Sequence, residues 1–181
     1  MKIILRCFAV TCLMLFSVSA FGDNDRRSKA FVMFNAGTLT VSIMQLQFDN
    51  FEPEPISIIE ERSIGTLGRA ELKTFSQVTD DVPLPGECPD GFPIQFVTDD
   101  ATVLTFHDLS QLMGNVRTVV CINPVSGAQW VRGEGHWASG SRRFAKVTGG
   151  EFEVSSTATP QSANGQFYAT VGAITGRLEW Q

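Results

Sequence analysis

The stretch TLTVSIMQLQFD, residues 38–49, decides the fold. Leu39, Val41 and Ile43 alternate with Thr38, Thr40 and Ser42. The phase then slips by one residue, so that Met44, Leu46 and Phe48 alternate with Gln45, Gln47 and Asp49. A period of two is what a half-buried β-strand writes into a sequence, because successive side chains point to opposite faces. The slip reads either as a β-bulge in one long bending strand or as two separate strands.

The same grammar continues on both sides. Residues 30–34 are a short apolar run ending at the turn signal Asn35-Ala36-Gly37. Downstream, Glu52-Pro53-Glu54-Pro55 reads as a rigid acidic loop, 56–59 as a β-branched strand, and 65–75 as a strand with Leu67, Ala70, Leu72 and Phe75 as its apolar members. Residues 80–92 carry Pro83, Pro85 and Pro89 and read as a long loop. Residues 92–97 and 101–106 flank Thr98-Asp99-Asp100 and read as a hairpin. Residues 108–113 suggest one helical turn capped by Asp108, and 117–122 a strand ending at Asn123-Pro124. Residues 128–137 and 151–155 follow as strands, the latter with Phe152 and Val154 on one face. Residues 165–180 close the chain, with Phe167, Ala169, Val171 and Ala173 on one face.

Roughly eight to ten strands suit a barrel or a sandwich. The expectation is an all-β protein forming a single small antiparallel β-barrel, with a β-sandwich as the alternative. Closure removes the exposed edges of a long antiparallel sheet. A barrel of this size is filled by side chains or holds one small ligand. A transmembrane barrel is disfavoured: strands of uniform spanning length are not evident, and a single tyrosine is available for interfacial girdles.

The first 22 residues read as a cleavable signal peptide. Lys2 and Arg6 give a positive start, residues 7–18 are apolar almost throughout, and Ala20 and Gly22 are small residues at the cleavage region. The apolar run is shorter than the roughly 20 residues a spanning helix needs. Residues 23–29 then form a mature N-terminal tail and 30–181 the barrel domain. The expected location is secreted or periplasmic, with no stable membrane span after processing. Cys7 and Cys12 leave with the leader, and Cys88 and Cys121 remain as an even pair in an oxidising compartment, which reads as a disulfide.

Without Lys2 and Arg6, 12 basic residues face 19 acidic ones, a formal charge of −7. Such a balance favours solubility and leaves no basic stripe for a nucleic-acid partner. No phosphate loop, nucleophile elbow, His-Glu-x-x-His or calcium-loop motif occurs, and no cofactor or metal is implied. A zinc site at the two mature cysteines would need two more good ligands, and the only histidines, His107 and His136, lack the spacing.

The run Ser139-Gly140-Ser141-Arg142-Arg143-Phe144-Ala145-Lys146-Val147-Thr148-Gly149 resembles the "G-x-G-R-F-A-G-A-T-G" turn of allene oxide cyclase-like and dirigent-like β-barrels. The closing Gly172-Ala173-Ile174-Thr175-Gly176-Arg177-Leu178 resembles the final strand of such proteins, and residues 103–112 do so more loosely. Ser141 and Lys146 stand where that family often has glycine. The resemblance implies a calycin-like barrel with a glycine-marked corner, and it carries over no catalytic residue.

Chemistry, where it is sought, points to His136 beside Trp137, to Arg142 and Arg143, and to His107 beside Asp108. A histidine with an arginine can bind an anionic or carbonyl group or shuttle a proton near neutral pH. Three expectations follow. The first is an exported binding protein for a small apolar ligand or a protein partner. The second is an isomerase, cyclase or lyase acting on an apolar substrate inside the barrel. The third is a structural envelope component, with a homo-oligomer compatible with any of them.

Overall fold

The computed structural model describes residues 27–43, 55–79, 88–163 and 166–181. The leader, the phase slip at 43–44, the acidic loop up to residue 54 and residues 80–87 lie outside them. Nine strands follow one another: β1 (Arg27–Ile43), β2 (Pro55–Gly65), β3 (Gly68–Val78), β4 (Ile94–Phe106), β5 (Gln111–Ile122), β6 (Gln129–Gly140), β7 (Val147–Gly149), β8 (Glu151–Pro160) and β9 (Phe167–Trp180). A 3-10 turn, Arg142–Phe144, sits between β6 and β7.

Eight strands close on themselves in the order β1-β2-β3-β4-β5-β6-β8-β9, with β9 pairing back to β1 and the short β7 added to β9. Every pairing is antiparallel. The ladder can be followed right round the barrel. Val41 faces Ser57, then Ser76, Asp100, Val116, Gly135, Phe152 and Gly176 in turn, and it returns to β1 at Phe31, ten residues below its start. A stagger of ten residues over eight strands tilts each strand by about 40°, inside the range closed barrels adopt.

Alternation assigns the inward face: residues 31, 33, 35, 37 and 39 on β1, even numbers on β3, β4, β5, β8 and β9, and odd numbers on β2 and on β6 up to Trp137. One half of the interior is apolar. Phe31, Met33, Leu72, Leu104, Phe106, Leu112, Trp137, Phe152, Ile174 and Leu178 are buried there in one cluster. Trp137 stacks on Phe152 with ring centroids 4.3 Å apart and lies 6.0 Å from Phe31. Inward glycines make room for these rings. A Cβ at Gly135 would lie 2.6 Å from the Phe152 ring, and one at Gly114 would lie 2.9 Å from Trp137. Phe144 on the 3-10 turn and Val147 on β7 seal this end.

Three segments depart from the sequence reading. The hairpin expected around Asp99-Asp100 is one unbroken strand, β4, because Thr98 and Asp100 point into a polar interior rather than into a turn. The strand expected over 65–75 is interrupted by a turn at Thr66-Leu67, and Phe75 faces outward. The closing strand buries the face opposite to the one expected. Tyr168, Thr170, Ile174 and Leu178 point in, while Phe167 and Val171 are 50% and 63% exposed. Residues 27–29, read as tail, are already strand and pair with Leu178, Glu179 and Trp180. The turn at 107–110 is not helical: Asp108 Oδ1 accepts the Ser110 N–H at 3.0 Å, a side-chain turn that leads straight into β5.

Cys88 and Cys121 are bridged, with Cα atoms 5.7 Å apart. Cys121 points outward from β5 yet is fully buried, because the segment carrying Cys88 folds over it. Asn123 Nδ2 donates to the Gly91 carbonyl at 2.8 Å and fixes the same segment.

Candidate functional site

Two places in the barrel bring chemistry-bearing groups together. The first is a polar girdle inside, above the apolar half. Asn35, Glu61, Ser63, Thr74, Ser76, Thr98, Asp100, Thr102, Thr118 and Thr170 are all buried and all point inward. Hydroxyls pair across neighbouring strands: Ser63 donates to Asn35 Oδ1 at 2.8 Å, the Thr74 and Thr102 hydroxyls hydrogen-bond to each other at 2.8 Å, and Thr98 meets Thr118. Thr118 Oγ1 donates to Asp100 Oδ2 at 3.0 Å, while Asp100 Oδ1 has no partner among the described residues. Glu61 lies next to Gly37 on the ladder, and Thr170 lies on Gly37's other side. With no side chain at 37, the Glu61 carboxyl faces Thr170, whose Oγ1 has no hydrogen-bond partner among the described residues.

Among the described residues the buried side chains include these two carboxyls and no basic group. Burial therefore pushes both up. Asp100 is raised above its ordinary 3.8 by desolvation, against the pull of the Ser76, Thr98 and Thr118 hydroxyls. Glu61 is raised above its ordinary 4.5 by desolvation, against Thr170 and Asn35. A folded state that holds a proton more tightly than the unfolded chain is most stable at low pH and loses that advantage as pH rises through the raised values. The expected result is that Asp100→Asn flattens the fall in unfolding free energy as pH rises above about 4. Parallel profiles for variant and parent in urea unfolding would show Asp100 to be ionised in the fold. Asp108 does not interfere: it is held below its ordinary 3.8 by the Ser110 N–H and by Arg143, so it titrates under this window.

The second place is outside, where β2, β3 and β4 run down to the β4–β5 turn. A surface hollow of about 550 Å³ is lined by Arg62, Ser63, Ile64, Arg69, Ala70, Glu71, Thr105, Phe106, His107 and Leu109. Ile64 and Leu109 are 54% and 61% exposed. Leu109 has φ of 61°, a left-handed conformation that costs a branched residue on the order of 1 kcal/mol or more. The Asp108 turn holds it there and presents an apolar side chain to water.

His107, the histidine at the strand end, thus lines this hollow with two arginines that sequence reasoning missed, Arg62 and Arg69. That Arg62 shares a face of β2 with Ile64 was visible, but the hairpin that sets Arg69 opposite Ile64, diagonal to Arg62, was not. Arg142 and Arg143 reach the same end of the barrel. Arg143 Nη2 donates to the Leu67 carbonyl at 2.9 Å, its Nε lies 3.5 Å from Asp108, and its guanidinium covers the Phe106 and Phe144 rings at 4.4 and 4.6 Å. Arg142 Nη1 donates to the Asp108 carbonyl at 3.3 Å. Both arginines clamp the sealed end to the β4–β5 turn. His136 stands apart, exposed on the outer face of β6, where a polar hollow also holds Glu134, Glu151, Glu153, Arg177 and Glu179. Neither histidine points into the interior. Among the described residues no group of three or more His, Cys, Asp or Glu could hold a metal ion. No helix among them is long and apolar enough to cross a membrane.

No protein-family model matches the chain, and no curated protein matches it.

Proposed function

We propose that this is an exported binding protein that takes a small amphipathic ligand, an apolar chain ending in an anionic group, on the outside of its barrel. The hollow beside the β4–β5 turn carries this reading. Ile64 and Leu109 offer apolar contact, and Arg62, Arg69 and His107 offer donors to an anion. Its volume, about 550 Å³, falls within the range of small-molecule sites. Glu71 offsets one of the arginines, so the rim keeps a modest positive bias on a chain whose formal charge is −5. That bias is what selects a carboxylate or phosphate over a neutral head group. An enzymatic role inside the barrel has less support, because the apolar half is occupied by rings packed against inward glycines.

The test is titration of the processed protein with a medium-chain fatty carboxylate and with the alcohol of equal chain length, followed by calorimetry. The carboxylate is expected to bind more tightly than the alcohol. Arg62→Ala with Arg69→Ala should weaken it by up to about thirtyfold, since two exposed ion pairs contribute up to about 1 kcal/mol each. The double variant should leave the alcohol unaffected. Equal affinity for acid and alcohol, or no binding of either, would remove the reading.

A further inference from the structure

The barrel's outer surface is divided in a way the ligand hollow does not explain. On β8, β9 and β1, which are consecutive in the ladder, every outward position over residues 155–159, 167–175 and 32–40 is Ser, Thr, Ala, Val or Phe. None is charged. β8 and β9 carry their outward charges, Glu151, Glu153, Arg177 and Glu179, only beyond this stretch, whereas β2 to β6 place charges along theirs: Glu60 on β2, Lys73 on β3, Asp99 on β4, Arg117 on β5 and Glu134 on β6. Within the uncharged face the large side chains stand out in water, with Phe34 61%, Val171 63% and Phe167 50% exposed. They lie in register: Ser155, Ala173, Phe34 and Ile64 form one row, and Trp130, Thr157, Val171 and Ala36 the next. A contiguous apolar patch of this kind marks an interaction surface.

We infer that the partner is a second copy of this chain, packed face to face on β8, β9 and β1. Three arguments converge on that occupant. A closed barrel has no free strand edge, so association by strand addition is unavailable and a sheet must be laid on a sheet, about 10 Å apart. A chain with a formal charge of −5 brings like charges together on its charged faces, and this is the face where two copies meet without that cost. A strongly charged partner would gain nothing from an uncharged face, whereas a second copy matches it with its own. Size agrees. Three strands about 4.8 Å apart and ten residues long cover about 480 Å² in flat projection. Side-chain relief, with Ile64 and Trp130 at the margins, carries the area towards the roughly 800 Å² per partner of a stable interface. A two-fold contact uses the same patch twice, so it closes at a dimer.

The experiment is sedimentation velocity over a concentration series of the processed protein, with Phe34→Glu plus Val171→Glu as the test variant. Both side chains are mostly in water, so the variant should fold with an unchanged circular dichroism spectrum. The parent is expected to sediment as a dimer at tens of micromolar. The double variant should be monomeric there, its dissociation constant raised at least a hundredfold. Lys73→Glu, on the opposite wall, should leave the dimer intact. A parent that is monomeric throughout overturns the inference, whether or not it floats with phospholipid vesicles. So does a folded double variant that stays dimeric, or an equal loss with Lys73→Glu. Fatty-carboxylate binding by Arg62 and Arg69 is read separately, so the two proposals can fail independently.

Discussion

Trp137→Ala is expected to lower stability by about 3–5 kcal/mol and the melting temperature by about 10 °C or more. Trp137 is 1% exposed, points into the barrel from β6, and is the largest side chain in the apolar half. Its removal strips Phe152 of a stacked ring at 4.3 Å and Phe31 of a tilted one at 6.0 Å. The surroundings cannot collapse into the gap. They are opposing walls of a closed sheet, and wall spacing is set by strand number and stagger rather than by any one side chain. The cavity term is therefore close to its full size. Trp137→Phe is the informative companion. Indole Nε1 has no hydrogen-bond partner among the described residues, so phenylalanine removes an orphaned donor along with one ring. It should cost clearly less than alanine, about 1–2 kcal/mol. Chemical unfolding of both variants checks this. Equal, small losses would mean that the indole does not bridge the walls.

What the sequence made legible follows the period of two. Leu39 and Val41 announced an inward face that the structure keeps, and so did Phe152 with Val154. Those segments have one apolar face and one polar face. Legibility failed where that contrast reverses. On β9 the outward face carries Phe167 and Val171 while the inward face carries Thr170 and two glycines, so counting apolar residues selects the wrong side. On β4 the pair Asp99-Asp100 resembles turn chemistry. Nothing local tells that residue 100 meets Ser76 and Val116 across the ladder, in an interior half that is polar. Glu61 was hidden for the same reason: a carboxylate in a strand is ordinarily read as a solvated face. The hollow beside the β4–β5 turn needed the β2–β3 turn to bring Arg62 and Arg69 onto one face, and that turn, between Gly65 and Gly68, holds no proline, asparagine or aspartate to announce it, with Gly68 at φ of 104°. The cysteine pair, in contrast, was readable because its inference rested on count and compartment rather than on geometry.

That pair supports the other large expected effect. Cys88→Ser with Cys121→Ser should destabilise the barrel by about 3–4 kcal/mol, the chain entropy released by opening a loop with a sequence separation of 33 residues. Only part of this loss is offset locally. Asn123 still holds Gly91, and the cover over residue 121 then depends on that hydrogen bond. Cys121 lies on the outer face of β5, outside the closed wall, so the wall itself should survive. The expected signature is a lower melting temperature, by about 10 °C, with an unchanged far-ultraviolet spectrum below the transition. Dithiothreitol on the parent should reproduce the shift and have no effect on the double serine variant. If reduction leaves the parent's transition in place, the bridge contributes nothing to the fold. The same arithmetic bears on where the chain works. A net stability of 5–15 kcal/mol is typical of a domain, so a bridge of this size is a sizeable share of it. In a reducing compartment that share is forfeited, and the two thiols would lie under a loosened loop. An oxidising compartment keeps the bridge formed and the segment carrying Cys88 fixed over β5.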